Sequence, residues 1–463
     1  MMKQKQNKNT QRIICISVVC LLLTLGVFSQ SLWQLHQQTP LKKEITGCDT
    51  VSLPLPLPGM LVHGADTLTF PDSVTVSGES QAFSNFFELL DSLRSGKDTV
   101  LTIVHLGDSH IQAGKYSGQV MRLLQKEFGN AGRGWISPLK LSRTNEPDDY
   151  FITSSLREWT AGRCIQHTPK TTLGIGGIGI RSLSSSINLN VMIAPKNGAG
   201  YSFNQAILYR KLNSMPMLPT DGSKRIATTS LADTTFANGI VADTFRLSCL
   251  ADTLLLHSTR RKQGTDQLLP ASSFNNTYYG FSLSNGKPGI LYHSIGVNGA
   301  MYVHYTDSNY VKQLALLHPQ LLIISLGTNE TFGRRYSNLE FEHQIKHFLS
   351  MVKQEMPAVE ILITTPPECY KRTYKNKKRI YVRNANTEKA AAILKQVAKE
   401  ENVICWDLFA ATGGSNSCRK WQTQHLMAGD RIHFAQRGYE EQGLLLYRAL
   451  MNSYNMHLKL KEN

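Results

Sequence analysis

Three short runs of almost unbroken apolar residues constrain this chain more than anything else in it. Val100–Leu106 stops at Gly107, Leu321–Leu326 stops at Gly327, and Val359–Thr365 stops at Pro366. A strand that is apolar on both faces must be buried on both, the condition of a parallel sheet covered by helices. Apolar residues at helical spacing supply that cover: Phe83, Phe86, Phe87, Leu90 and Leu93, then the stretches Phe341–Met356 and Thr387–Glu400. Strands alternating with helices predict a doubly wound α/β domain with its chemistry at the carboxyl ends of the strands.

Between about residues 145 and 288 the helical period disappears. Apolar runs at 187–193, 201–212, 244–250 and 278–283 alternate with turn residues, and Ala-Asp-Thr recurs at 232–234, 242–244 and 251–253. Turn signals at this spacing predict an antiparallel β-sandwich inserted into the α/β domain, with chance repetition in a loop-rich insertion as the alternative.

The N-terminus predicts a location. Lys3, Lys5, Lys8 and Arg12, with no acid, precede an apolar run from Ile13 to Phe28, the pattern of an export signal, either cleaved near Ser29 or kept as a membrane anchor. The following Gln- and Pro-rich stretch, with Leu-Pro-Leu-Pro-Leu-Pro at 53–58, reads as a tether. The expected organisation is a signal or anchor (1–30), a tether (31–67), a first α/β part (68–145), the inserted β-domain (146–288) and a second α/β part (289–463).

Charge then bears on partners. The chain of 463 residues has 50 Lys+Arg against 34 Asp+Glu, a formal +16, and residues 1–30 hold only four of those charges, which leaves +12 for the rest. An anionic partner is implied. Export makes genomic nucleic acid an unsuitable one and implies a periplasmic or cell-surface setting. Cys48, Cys164, Cys249, Cys369, Cys405 and Cys418 contain no CxxC pair and no zinc spacing, so core cysteines with at most one or two bridges are expected, and no metal.

Three strand or loop ends carry chemistry. Gly107-Asp108-Ser109-His110 puts a serine at a strand-to-helix turn, where developing negative charge is favoured. Gly327-Thr328-Asn329 ends the second apolar strand and offers a side-chain amide. Asp430-Arg431-Ile432-His433 places a carboxylate where it can orient an imidazole. Each alone is commonplace: a helix cap, a turn, a loop coincidence. Their joint occurrence in this order is not.

With Gly299 in Gly296-Val297-Asn298-Gly299-Ala300, these blocks resemble the SGNH or GDSL-type hydrolases. The resemblance covers about 97–140 and 289–455 and implies an SGNH-hydrolase (flavodoxin-like) three-layer α/β fold. It implies Ser109 as nucleophile, His433 as general base and Asp430 as its orienting acid. The implied oxyanion hole is the backbone amides of Ser109 and Gly299 with the Asn329 side chain, and no cofactor is required. His110 stands where the family text has Leu. Gly-Asp-Ser-His-Ile-Gln-Ala, Arg133-Gly134 and the β-rich insertion look like the exported peptidoglycan O-acetylesterase branch, whose inserted domain resembles a carbohydrate-binding module. The partner so implied is an O-acetylated polysaccharide, peptidoglycan first. Deacetylation of xylan-type glycans, lipase or thioesterase activity, O-acetyl transfer and a catalytically idle glycan-binding role stay open.

A last feature concerns substrate. Lys371, Arg372, Lys375, Lys377, Lys378, Arg379 and Arg383 crowd the segment after the strand ending at Pro366. Such a loop leaves the sheet on its active-site side. Lys371, Arg372 and Arg379 are expected to attract an anionic glycan, the alternative being a solvated loop.

Overall fold

The computed structural model describes residues 83–156, 159–194, 200–220, 224–230 (backbone), 239–259, 275–333 and 336–462. The expected signal or anchor at 1–30 and the tether at 31–67 lie outside the described residues, as does Cys48. Among the described residues no helix is long and apolar enough to cross a membrane.

Five parallel strands form one sheet in the order Gly289–Gly296, Val100–Gly107, Leu321–Ser325, Glu360–Thr364, Ile404–Trp406. The three apolar runs are all here, and Val100–Gly107 is buried at every residue after the first. Two strands escaped the periodicity: Gly289–Gly296, whose Tyr292, His293 and Ser294 break the apolar run, and the three-residue Ile404–Trp406. Helices Ser84–Arg94, Tyr116–Phe128 and Gln436–Glu462 pack on one another, as do Ser308–Ala315, Asn338–Glu355 and Ala385–Glu400. The two groups cover the two faces, giving three layers.

The insertion forms two antiparallel sheets. One runs Thr160–Arg163, Ile178–Ser182, Asn276–Ser284, Phe203–Lys211, Ile240–Ala251, Lys224–Ser230. Gly134–Ile136 also pairs with Asn276–Ser284, so this sheet recruits chain from ahead of residue 146. The other runs Tyr150–Thr153, Ser186–Ile193, Thr253–Thr259, Leu218–Pro219. Thr253–Thr259 alternates buried and exposed residues, as a strand with one covered face must. Its inward Leu254 and Leu256 join Leu189, Val191, Leu208 and Phe245 in the core.

Two expectations need correction. Ala242-Asp243-Thr244 is not a turn but the middle of strand Ile240–Ala251, because Asp243 is fully buried against the guanidinium of Arg210, at 2.6 and 3.2 Å. The basic segment is not an irregular loop but a hairpin, Tyr370–Lys375 with Lys378–Arg383, turning at Asn376 and Lys377, both at positive φ. Among the described residues Cys164, Cys249, Cys369, Cys405 and Cys418 form no disulfide.

Candidate active site

Register brings the site together. Gly107 lies opposite Gly296 on one side and Ser325 on the other, so three parallel strands end level and their following loops meet. Ser109 begins a single helical turn, Ser109–Gln112, capped by Asp108, whose Oδ1 accepts from the His110 backbone N–H at 2.9 Å. The turn sits so close to the sheet that a Cβ on Gly296 would stand 2.2 Å from Gln112 N and 2.7 Å from Asp108 O. Only glycine permits that approach.

Loop 428–433 supplies the other half. Met427 and Phe434 pair as an antiparallel bridge, and Ala428 N–H donates to His433 O. Within the loop Asp430 Oδ1 accepts from Ile432 N and His433 N, and Oδ2 accepts from His433 Nδ1 at 2.6 Å. Nδ1 therefore carries the proton, and Nε2 receives the Ser109 hydroxyl at 2.8 Å. Asp430 accepts three hydrogen bonds and so lies well below the usual carboxylate range, while its hydrogen bond with His433 and then its charge raise the His433 pKa above the ordinary imidazole value.

Ser109, Gly299, Asn329 and His433 line one cavity of about 630 Å³. Among the described residues no protein acceptor takes the backbone N–H of Ser109 or of Gly299, the latter at φ +83°. Asn329 is placed differently. Its Nδ2 donates to Asp108 Oδ2 at 3.1 Å and to Ala300 O at 3.0 Å, so both amide hydrogens have protein acceptors. Of the three expected oxyanion donors, two backbone groups stand free and the amide is engaged.

The basic hairpin docks on the histidine loop rather than lining the cavity. Tyr370 N donates to Arg431 O at 3.0 Å, and the Arg431 guanidinium covers the rings of Tyr370 and Tyr381. Lys371 Nζ stands 5.6 Å from the Phe332 ring centroid, one residue back from the cavity that Phe332 lines. Arg372 and Arg379 do not line it. Arg383 is taken up by Glu368 and Glu388.

Several supporting groups were not identified from sequence. Asp108 is buried, and burial pushes its carboxyl up to about 7. Gln112 Oε1 accepts from Asn298 N at 2.7 Å and its Nε2 donates to Thr144 Oγ1 and Asn145 O, which pins the Gly299 loop to the serine turn. His110 hydrogen-bonds Tyr439 at 2.9 Å, packs 5.2 Å from the His433 ring, and is lowered to about 3 by burial. Asp108, His110 and Gln112 lie in the block Gly107-Asp108-Ser109-His110-Ile111-Gln112, a sequence too short to carry the period that marks buried side chains.

The constellation is that of a hydroxyl poised for deprotonation beside two convergent N–H donors, the requirement for acyl transfer. Residues 267–441 match the GDSL-like lipase/acylhydrolase family. That match starts beyond most of the insertion, so the serine block reaches it only through the fold. No curated protein matches the chain. Among solved structures, a peptidoglycan O-acetylesterase is 20% identical with a TM-score of 0.66, covering 82% of this chain and 99% of that one. A GDSL-like lipase from Bacteroides thetaiotaomicron is 15% identical, with a TM-score of 0.28, covering 35% of this chain and 76% of that one. Sheet order, strand-end loops and the match over residues 267–441 together give the α/β part of this chain the fold of the SGNH/GDSL-type hydrolases.

Proposed function

We propose that the protein is an exported serine esterase that removes O-acetyl groups from a polysaccharide, peptidoglycan first. The hydrogen-bonded run Asp430–His433–Ser109 carries the reading. Ser109 Oγ attacks the acetyl carbonyl while His433 Nε2 takes its proton, and Asp430 stabilises the imidazolium. The N–H groups of Ser109 and Gly299 receive the oxyanion, joined by Asn329 as it shares a hydrogen now given to Asp108 or Ala300. His433 passes the proton to the departing sugar oxygen, leaving acetyl-serine. Water, deprotonated by the same imidazole, then releases acetate.

The acetyl group and the polymer rest on the sequence resemblance and on the likeness to the solved O-acetylesterase. Export rests on residues 1–30, and fractionation of cells producing the full chain tests it. Lys371, Arg372 and Arg379 belong to the reading as a basic approach surface beside the histidine loop. Acetate release from O-acetylated peptidoglycan, acetylated xylan and a small acetyl ester tests the whole. We expect Ser109→Ala to abolish release from all three and peptidoglycan to be turned over best; release that survives in the variant removes Ser109 as nucleophile, and faster turnover of xylan reassigns the polymer.

A further inference from the structure

A second cavity, of about 460 Å³, lies between the inserted sheets and the α/β part. Lys170, Arg181 and Lys211 come to it from the insertion, and His304, Tyr310 and Gln313 from the segment after Gly299. None of the three cations has an acidic partner among the described residues. Asp307 is the one acid in the lining, and its Oδ1 accepts from Asn309 N.

Part of the wall is set up to donate. His304 Nδ1 accepts from Met301 N–H at 2.9 Å, which leaves Nε2 as the protonated nitrogen, and burial keeps the ring neutral by lowering its pKa. Tyr310 and Gln313 are more than nine-tenths buried, and the Tyr310 hydroxyl and Gln313 Oε1 have no hydrogen-bond partner; Arg181 Nε has none either. Buried polar atoms are nearly always paired, so the Tyr310 hydroxyl and Arg181 Nε stand as donors without an acceptor in this wall, whereas Gln313 Oε1 can only accept.

Side chains connect the wall of this cavity to the loops that hold Ser109 and Gly299. Ile165 Cδ1 stands 3.8 Å from where a Gly299 Cβ would be, and Cys164, its chain neighbour, lies in the wall of the second cavity. Behind that wall the Tyr305 ring packs 5.1 Å from Tyr310 and donates its hydroxyl to Gly107 O, two residues before Ser109. The two cavities differ in sign. The serine cavity is lined by Glu146 and Asp148, with Lys115 already ion-paired to Asp148. Carboxylates on a polymer bound there are repelled locally and attracted next door.

The geometry points to a carboxylate-binding subsite in the second cavity, where Lys170, Arg181 and Lys211 hold an acidic group of the glycan whose acetyl ester lies at Ser109. This rests on the esterase reading above. The chemistry is shared by carboxylates borne on the sugar and by those of attached peptides, so strands with and without peptides distinguish the two.

The test compares the full chain with the variant Lys170→Gln/Arg181→Gln/Lys211→Gln and the charge-keeping Lys170→Arg/Arg181→Lys/Lys211→Arg. On O-acetylated carboxylated strands we expect the first variant to raise KM at least tenfold with kcat kept, and the second to restore it. Turnover of acetylated xylan and of a small neutral acetyl ester should be unchanged, which also verifies folding. A rise only on peptide-bearing strands assigns the carboxylate to the peptide; a rise on both assigns it to the sugar. An unchanged KM on carboxylated strands, or an equal rise on xylan, overturns the subsite. Binding of carboxylated strands to Ser109→Ala, with and without the three substitutions, reads the subsite even if no acetyl ester is turned over, so its failure is separable from failure of the esterase reading.

Discussion

His433 lies between Asp430 Oδ2 and Ser109 Oγ, at 2.6 and 2.8 Å, and its protonation state follows from the first of them. Asp430 raises the imidazole pKa, so the base is lost as pH falls through a value above the ordinary 6.5. The acid limb of kcat/KM should therefore lie above pH 6.5. Asp430→Asn removes the raising charge, so that limb should move to lower pH while kcat falls, by up to about 10⁴-fold as in other serine triads. A limb that stays in place would show that another group sets it. Asn329 is the second test at this scale. If its amide turns from Asp108 to the oxyanion, Asn329→Ala lowers kcat by roughly 10²–10³-fold with little change in KM, measured on the small ester. An unchanged kcat would leave the hole to the backbone of Ser109 and Gly299. Sequence spacing brought out Ser109, Asn329, Asp430 and His433 because each sits in a motif that ends a strand or opens a helix. It could not bring out Asp108 as the acceptor for Asn329, since 221 positions separate the two and the contact exists only through the sheet.

The serine turn and the strand Gly289–Gly296 show what an element adds. A methyl group on Gly296 meets the backbone of Gln112 and Asp108, neither of which is the free end of a side chain. Gly296→Ala should push the turn off the sheet, at about 1–3 kcal/mol of strain. A displacement of about 1 Å at a reacting group is worth on the order of 10²-fold in rate. We expect a fall of that order in kcat/KM on the small ester with a modest fall in Tm; loss of Tm without loss of kcat/KM per folded molecule would deny the coupling. This strand was missed because His293 and Ser294 interrupt its apolar pattern. Neighbouring strand Val100–Gly107 buries a polar group for a comparable reason: His105 bonds Tyr292 and Ser325, each at 2.7 Å, tying three strands sideways. In the opposite direction, the basic run was legible as charge but not as a hairpin, because its strands are stabilised by docking on Arg431 rather than by apolar alternation.

At the scale of the molecule, the inserted sheets and the α/β part share one apolar core, and Lys115–Asp148 and Arg133–Asp149 add ion pairs between them. Arg210 and Asp243 are buried together within the larger antiparallel sheet, far along the chain from Ser109. Asp243→Ala leaves an unpaired buried guanidinium, a cost of about 3–5 kcal/mol. Tm should fall by roughly 10 °C, at 2–4 °C per kcal/mol. Hydrolysis of the small ester below the new transition should be unchanged. Loss of activity ahead of unfolding would mean that the insertion also sets the serine geometry. By itself the sequence determined the classes of element, their order and the residues competent for acyl transfer, because strand burial, helical period and turn chemistry are local properties. Which of those residues share hydrogen bonds, which donors stay free, and where unpaired cations gather were decided only by the tertiary structure. Those depend on strand register and on contacts between segments hundreds of residues apart, and no local pattern encodes them.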